Sequence, residues 1–167
     1  MEMDERMPGK KVSESRVEMV EIALPNDANT LGSVLGGKVL HLIDIAGAIA
    51  AHRHSRRAVV TASIDEVDFR HPIRVGQMIL LYSSVNYVAR SSMEVGVKVL
   101  SEDPLTGQRR HTSSAYLTFV ALGGDGRPVE VPAVIPETPE ERRRYDEAAA
   151  RRARRLEGLA ARRARQR

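Results

Sequence analysis

Asp44 is the residue whose type and surroundings most strongly suggest chemistry. It lies in the run Leu42, Ile43, Asp44, Ile45, Ala46, which is apolar on nearly every face. An ionised carboxylate in such a run is costly unless it is paired or used. Two interpretations stay open from the pattern alone: a reactive carboxylate, or a polar helix edge that faces solvent or a neighbouring backbone.

Histidines near Asp44 raise the question of a metal site. His41 lies three residues before Asp44, which puts both on one helix face and allows them to pair. No third ligand accompanies them, so a metal is not predicted. His52 and His54 are two residues apart and point to different sides of a helix, which does not favour zinc.

Two adjacent glycines, Gly36 and Gly37, directly precede the apolar run. Glycine lets a ligand approach the backbone, and a helix N-terminus offers unpaired N–H groups at the positive end of its dipole. Such donors suit a developing oxyanion. Close packing at the start of the helix would also explain the pair, and both interpretations stay open.

Other catalytic signatures do not occur in the sequence. Ser33 follows Gly32 directly, so the Gly-x-Ser-x-Gly turn of serine hydrolases is absent. The glycines have the wrong spacing for a phosphate-binding loop or a dinucleotide fingerprint. The chain has no cysteine, which excludes disulfides, thiolate nucleophiles and cysteine-bound metals. We therefore expect neither a cofactor nor a metal.

The elements that position these residues follow from the hydropathy period. Residues 38–54 predict a buried helix because they are apolar nearly all round. Alternation and β-rich composition predict strands at 16–24, 59–69, 77–88, 93–99 and 109–122. A last helix is predicted after Thr138, with Pro139 at its first position and Glu141 completing a capping box. The expected class is α+β, one buried helix against a long antiparallel sheet.

Length and composition predict one folded domain between two polar ends. A chain of 167 residues that is 42% hydrophobic has room for a single core. We expect a flexible leader at 1–14, the domain at 15–136 and a basic helix or tail at 137–167. The N-terminus mixes acids and bases, unlike a targeting peptide, and the run 39–51 is too short to cross a bilayer. A cytoplasmic protein without a membrane partner is expected.

The basic charge belongs to the tail. The net charge is +4, but residues 140–167 hold 11 arginines against 5 acids, so they carry +6 and residues 1–139 carry −2. An arginine-rich tail can bind phosphates electrostatically, which keeps a nucleic-acid binder as an alternative. Aromatic residues make up only 4% of the chain, so platforms for base stacking are scarce and nucleic acid is not the favoured partner.

Five ordered blocks resemble the hotdog-fold acyl-CoA thioesterases, specifically the brain acyl-CoA hydrolase group and its single-domain bacterial relatives. The blocks include LPNDANTLGSVLGG, VTASIDEVDFRHPIRVG, RSSMEVGVKV and AYLTFVAL, and they lie within 24–54, 60–76, 90–99, 115–122 and 126–148. The resemblance covers about residues 17–152, most of the chain. It implies a hotdog fold, in which a five- or six-stranded antiparallel sheet wraps a long helix.

The resemblance also implies an activity and residue roles. Acyl-CoA would be hydrolysed to a free fatty acid and CoA, with Asn29 matching the family's active-site asparagine and Asp44 its catalytic acid. Asp44 would act as general base or as nucleophile, and Asn29 would orient water or the carbonyl. The Gly37 N–H would polarise the thioester carbonyl. The preferred acyl length stays open.

Contacts with CoA are expected mainly at a turn between two strands, where family members contact the pantetheine-diphosphate end. For Arg90 a solvated turn charge is the alternative interpretation. The complete set of expected CoA contacts is Arg90, Ser91, Ser92, Arg53, His54 and Thr61.

The resemblance further implies self-association. Family members of this length pair their sheets edge to edge as dimers, often three dimers to a hexamer, and Asn29 of one subunit then faces Asp44 of the other. A related dehydratase is not favoured, because His71 is followed by Pro72 and Ile73 rather than Phe, and no histidine lies five residues after Asp44. A non-catalytic acyl-CoA-binding regulator remains the alternative.

Overall fold

The computed structural model describes residues 7–65 and 67–166. Eight strands and two α-helices follow one another along the chain, with short 3-10 turns at Val12–Ser15 and Pro25–Asp27. In order, the elements are β1 (Lys10–Lys11), β2 (Val17–Ile22), α1 (Gly36–Ser55), β3 (Ala58–Ile64), β4 (Asp68–Phe69), β5 (Met78–Val88), β6 (Ser92–Glu102), β7 (Arg109–Leu122), β8 (Val134–Ile135) and α2 (Pro139–Arg165).

The main sheet has six strands and is antiparallel throughout. Its order is β2-β5-β6-β7-β3, and the short β4 also pairs with β7. Helix α1 contacts β2, β3, β5, β6 and β7, so the sheet wraps around it. Strand β3 ends this order and leaves one side without a partner strand among the described residues.

The core fills the space between α1 and one face of the sheet. The alternating β6 residues Met93, Val95, Val97 and Val99 are at most 2% exposed, as their period of two predicts. On the helix, a methyl group added to Gly47 would lie 3.0 Å from the Phe119 ring. Glycine is therefore needed there because the helix and the sheet approach closely.

Helix α2 lies on the other face of the sheet. It begins as predicted, because Thr138 Oγ1 accepts the Glu141 N–H at 3.1 Å and the Glu141 carboxylate accepts the Thr138 N–H at 3.2 Å. Further along, both carboxylate oxygens of the buried Glu94 accept hydrogen bonds from Arg151, at 2.7 and 3.1 Å. The Arg151 guanidinium also lies 3.6 Å from the centre of the Tyr116 ring. These contacts fix α2 to the sheet.

Two expectations about the chain's organisation differ from the structure. The proposed leader falls partly outside the described residues, but β1 pairs with β8, and Val12 and Ser15 are buried in the folded body. Burial of Val12, together with the hydrogen bond that the Ser15 hydroxyl accepts from the Val85 N–H, holds residues 10–15 against the folded body. The single strand expected at 59–69 is two strands: β3 ends at Ile64 and β4 begins at Asp68, and both pair with β7.

Candidate active site

The Asp44 carboxylate is half-buried on α1 and faces the edge strand β3. Its Oδ1 accepts a hydrogen bond of 2.7 Å from the Thr61 hydroxyl. This bond fixes the orientation of the carboxylate while leaving it partly open to solvent, which explains how an acid is accommodated in an apolar helix. His41 is exposed and forms no ion pair with Asp44 among the described residues, so the pairing that the spacing allows is not formed.

The N-terminus of α1 is open. No side chain caps it. The N–H groups of Lys38 and Val39 both donate to the Leu35 carbonyl, at 3.0 and 3.2 Å. For Gly36 and Gly37, the described residues supply no acceptor outside the helix. Gly37 is exposed, and a methyl group on it would meet nothing within 4 Å, so the space beside its Cα is open. This end of α1 can donate hydrogen bonds to an incoming oxyanion.

Phe69 partly encloses this helix end. A methyl group on Gly36 would lie 3.6 Å from Cζ of Phe69, so the ring stands beside the first turn. Phe69 is nevertheless 52% exposed, which leaves much of its ring available to another molecule. Phe69 was not among the predicted site residues, although a large apolar side chain at the end of a strand pattern was a signal for it.

Asn29 lies in the loop that leads to α1 and is exposed. Its Oδ1 accepts the N–H groups of Leu31 and Ser33, at 2.9 and 3.1 Å, which closes the loop on itself. Because the amide oxygen is engaged, the side-chain Nδ2 is the group that remains to act as a donor. Asn29 therefore suits hydrogen bonding to a carbonyl oxygen or to water.

Distances along α1 decide which groups of one chain can act together. Gly37 and Asp44 are seven residues apart, on the same side of the helix, and are separated by about 10 Å along its axis. A carbonyl oxygen within about 3 Å of the Gly37 N–H is then out of reach of direct attack by Asp44 of the same chain. The two groups cannot both touch one thioester carbonyl within a single subunit.

The Arg90–Ser92 turn brings three predicted CoA contacts together between β5 and β6. Arg90 is exposed and forms an ion pair of 3.1 Å with Glu130. The Arg90 carbonyl accepts the Val131 N–H at 3.0 Å, and the Ser91 carbonyl accepts the Ala121 N–H at 2.9 Å. The turn is thus held against the segment at 131–132, near the C-terminal end of α1.

The other three predicted CoA contacts are not part of that turn. Arg53 donates a hydrogen bond to the carbonyl of Arg16, and Thr61 donates to Asp44. His54 is 0% exposed, and its Nε2 donates to the Pro132 carbonyl at 2.7 Å. A CoA contact from His54 is therefore wrong, because its ring belongs to the core and has no path to solvent.

Burial of His54 makes the stability of the fold dependent on pH. Burial lowers the pKa of His54 below its usual 6.5, because the charged form loses its hydration. The unfolded chain takes up a proton at about pH 6.5 and the folded chain only at lower pH, so acid favours unfolding. We expect the unfolding free energy to fall below pH 6.5 by up to about 1.4 kcal/mol per pH unit.

Urea unfolding of wild type and of His54→Gln at pH 7.5 and 5.5 measures this contribution. His54→Gln should be less stable at pH 7.5 but should lose less stability between the two pH values. The exposed turn variant His71→Gln serves as the control and should keep the wild-type pH dependence. An unchanged pH dependence in His54→Gln would contradict the assignment.

No helix of the described chain is long and apolar enough to span a membrane, and no group of three or more potential metal ligands occurs in it. A long helix wrapped by a curled antiparallel sheet defines a hotdog fold, and here that fold has an open helix N-terminus and a carboxylate beside an edge strand. Residues 31–108 match the thioesterase superfamily.

Relatives and solved structures agree with this class. The chain is 47% identical over 128 residues to an uncharacterized acyl-CoA thioester hydrolase of Bacillus subtilis, covering 77% of this chain and 74% of that protein. A hexameric acyl-CoA thioesterase in its apo form superposes with a TM-score of 0.89 at 44% identity, over 92% of this chain and 99% of that one. An acyl-CoA hydrolase of Staphylococcus aureus, solved with butyryl coenzyme A and coenzyme A, superposes with a TM-score of 0.83 at 38% identity. The match covers 92% of this chain and 96% of that one. This chain belongs to the thioesterase superfamily, and the predicted hotdog fold is confirmed.

Proposed function

We propose that this protein hydrolyses acyl-CoA thioesters to a carboxylic acid and CoA. The observation that carries the proposal is the Asp44 carboxylate, held by Thr61 and left partly open, in a fold that also presents unpaired N–H groups at the start of α1. Release of free thiol from acyl-CoAs of graded chain length tests it. No release at any length would favour an acyl-CoA-binding protein instead.

In the proposed mechanism the thioester carbonyl oxygen binds the Gly37 N–H, where the helix dipole stabilises developing negative charge. Asp44 takes a proton from water as the water oxygen attacks the carbonyl carbon, or attacks that carbon itself to form an anhydride that water then opens. The C–S bond breaks, and the CoA sulfur leaves as thiolate and takes up a proton. Thr61 acts as a positioning residue for the carboxylate.

We further propose that each site is shared by two subunits. The separation of about 10 Å between Gly37 and Asp44 within one chain favours a site in which Asn29 and Gly37 come from one subunit and Asp44 from the other. Strand β3 offers the required contact, since it is an edge strand with Val60 and Ile64 exposed by 47% and 43%. An unpaired apolar edge is suited to pairing with a second copy.

Three further structures of the Staphylococcus aureus hydrolase support this set of residues. They carry single alanine substitutions of an aspartate, a threonine and an asparagine. In each case the residue number there is one lower than that of Asp44, Thr61 and Asn29 here. We propose a dimer as the catalytic unit and a trimer of dimers as the assembly, and the hexameric relative supports the latter.

Mixing two inactive variants tests the shared site. Asn29→Ala and Asp44→Asn should each be nearly inactive alone, but a mixed dimer would contain one site with neither substitution. After unfolding and refolding an equal mixture, we expect about a quarter of the wild-type activity, because half of the dimers are mixed and one of their two sites is intact. Activity no higher than that of the separate variants would place Asn29 and Asp44 in the same subunit's site.

Arg90 is proposed to contact the diphosphate of CoA. Replacing it with Gln should raise the KM for acyl-CoA about tenfold, since a charge-assisted hydrogen bond to phosphate is lost, with kcat little changed. Steady-state kinetics with Arg127→Gln as a matched exposed-turn control measures the effect. An unchanged KM would leave Arg90 as a solvated charge paired with Glu130.

A further inference from the structure

A cavity of about 680 Å³ lies between α2 and the outer face of the sheet. Tyr116 and Ser114 line it from β7, where they alternate with Ala115 and Leu117, which face the core. The cavity is therefore on the side of the sheet away from α1. Five arginines also line it, namely Arg70, Arg151, Arg154, Arg155 and Arg162.

Not all of these arginines are neutralised by carboxylates. Arg151 is bound by Glu94, and Arg155 lies 3.4 Å from Asp65. The remaining three, Arg70, Arg154 and Arg162, make no ion pair within the described residues, and the cavity offers them only one more acid, Asp68. The cavity thus holds an excess of positive charge that an anion would balance.

A glycine creates space between two of these cations. Arg154, Gly158 and Arg162 are spaced four residues apart, so they form one line along α2. A methyl group added to Gly158 would meet nothing within 4 Å. Glycine is unfavourable inside a helix, and here it leaves a solvent-exposed gap in the row of side chains, flanked by an arginine one turn before and one turn after. The gap offers open space between the Arg154 and Arg162 positions.

We propose that this cavity binds a diphosphate group between Arg154 and Arg162, with Arg70 contributing from the sheet. The planar guanidinium donates paired hydrogen bonds that match phosphate oxygens, and two arginines spaced along a helix suit two linked phosphates. The volume is within the range of small-molecule sites.

The cavity and the proposed active site lie on opposite sides of one short strand. Asp68 and Arg70 line the cavity, whereas the Phe69 ring between them lies beside Gly36 at the start of α1. A diphosphate has two sources in this setting: the nucleotide end of an acyl-CoA, or a free oligophosphate. The first source rests on the proposed function and would place the CoA diphosphate here instead of at Arg90, whereas binding of a free diphosphate depends on neither assignment.

Calorimetric titration with inorganic pyrophosphate tests the site on the intact protein. We expect one binding event per chain and a Kd at least about tenfold weaker in Arg154→Gln/Arg162→Gln. The control Arg142→Gln/Arg163→Gln removes the same charge from α2 at positions that do not line the cavity, and its Kd should stay within about twofold of wild type. No binding, or equal weakening in both double variants, would overturn the proposal.

Gly158→Leu provides a second variant that keeps every charge. Its side chain would fill the gap, so pyrophosphate binding should weaken while the helix content by circular dichroism is retained. Wild-type affinity in Gly158→Leu would overturn the placement of the diphosphate across the gap.

Kinetics separates the two sources. If CoA is bound there, Arg154→Gln/Arg162→Gln raises the KM for acyl-CoA but not for acyl-pantetheine, which lacks the diphosphate. If a free oligophosphate is bound, both KM values stay unchanged while pyrophosphate binding is lost. Either result supports the cavity as a diphosphate site. Absence of thiol release would contradict the proposed hydrolase activity. The pyrophosphate titration would still test whether the cavity binds a diphosphate.

Discussion

Asp44→Asn is expected to reduce hydrolysis of acyl-CoA by roughly 10²- to 10⁴-fold, the usual contribution of a general base. The amide is nearly isosteric, and its oxygen can still accept the Thr61 hydroxyl, so the local structure should persist. It can neither take a proton from water nor attack the thioester as an anion. The loss should therefore appear in kcat, with KM much less affected.

Thiol release under saturating acyl-CoA measures this loss. Asp146→Asn, an exposed carboxylate on α2, is the matched control and should keep the wild-type rate. Sedimentation and circular dichroism should show the same assembly and secondary structure in both variants. A near wild-type rate in Asp44→Asn would remove Asp44 from the chemistry and leave the open helix end as the main catalytic feature.

Glu94→Gln is expected to lower the free energy of unfolding by about 3–5 kcal/mol, the usual effect of leaving one partner of a buried ion pair without its counter-charge. The side chains of Glu94 and Arg151 are 3% and 16% exposed, so water replaces little of the lost interaction. Asn86, which donates to Glu94 at 3.3 Å, also loses a charged acceptor. The helix α2 should then hold less firmly to the sheet.

Urea unfolding measures the change, and Glu130→Gln is the control. Glu130 pairs with Arg90 in solvent, where both side chains are more than half exposed, and its loss should change stability by less than about 1 kcal/mol. The double variant Glu94→Gln/Arg151→Met removes both buried charges, so its free energy of unfolding should be higher than that of Glu94→Gln alone. Equal effects in Glu94→Gln and Glu130→Gln would mean that the buried pair does not anchor α2.

Local patterns predicted the elements well where the period and the end signals agree. Strand β7 has the predicted bounds, Arg109–Leu122, and α1 extends the predicted 38–54 by a few residues at its ends. Thr138 and Glu141 cap α2 as expected. Such features depend on residues close together in the chain, so a sequence contains most of the information about them.

Contacts between distant residues could not be predicted in this way. Nothing local indicates that Thr61 orients Asp44, that Glu94 holds Arg151 from 57 positions away, or that His54 is part of the core. Thr61 was predicted only as a CoA contact, and nothing in the sequence indicated that its hydroxyl donates to Asp44. These pairings arise only when the sheet wraps around α1 and α2 crosses its outer face.

By itself the sequence determined an α+β hotdog domain, a buried helix carrying Asp44, and a basic tail that begins with a capped helix. Only the tertiary structure decided that Asp44 is half-buried beside an edge strand, that the Thr61 hydroxyl donates to it, and that tail arginines line a cavity. The physical reason is that period and capping act over a few residues, whereas hydrogen bonds, ion pairs and cavities depend on which strands meet across the fold.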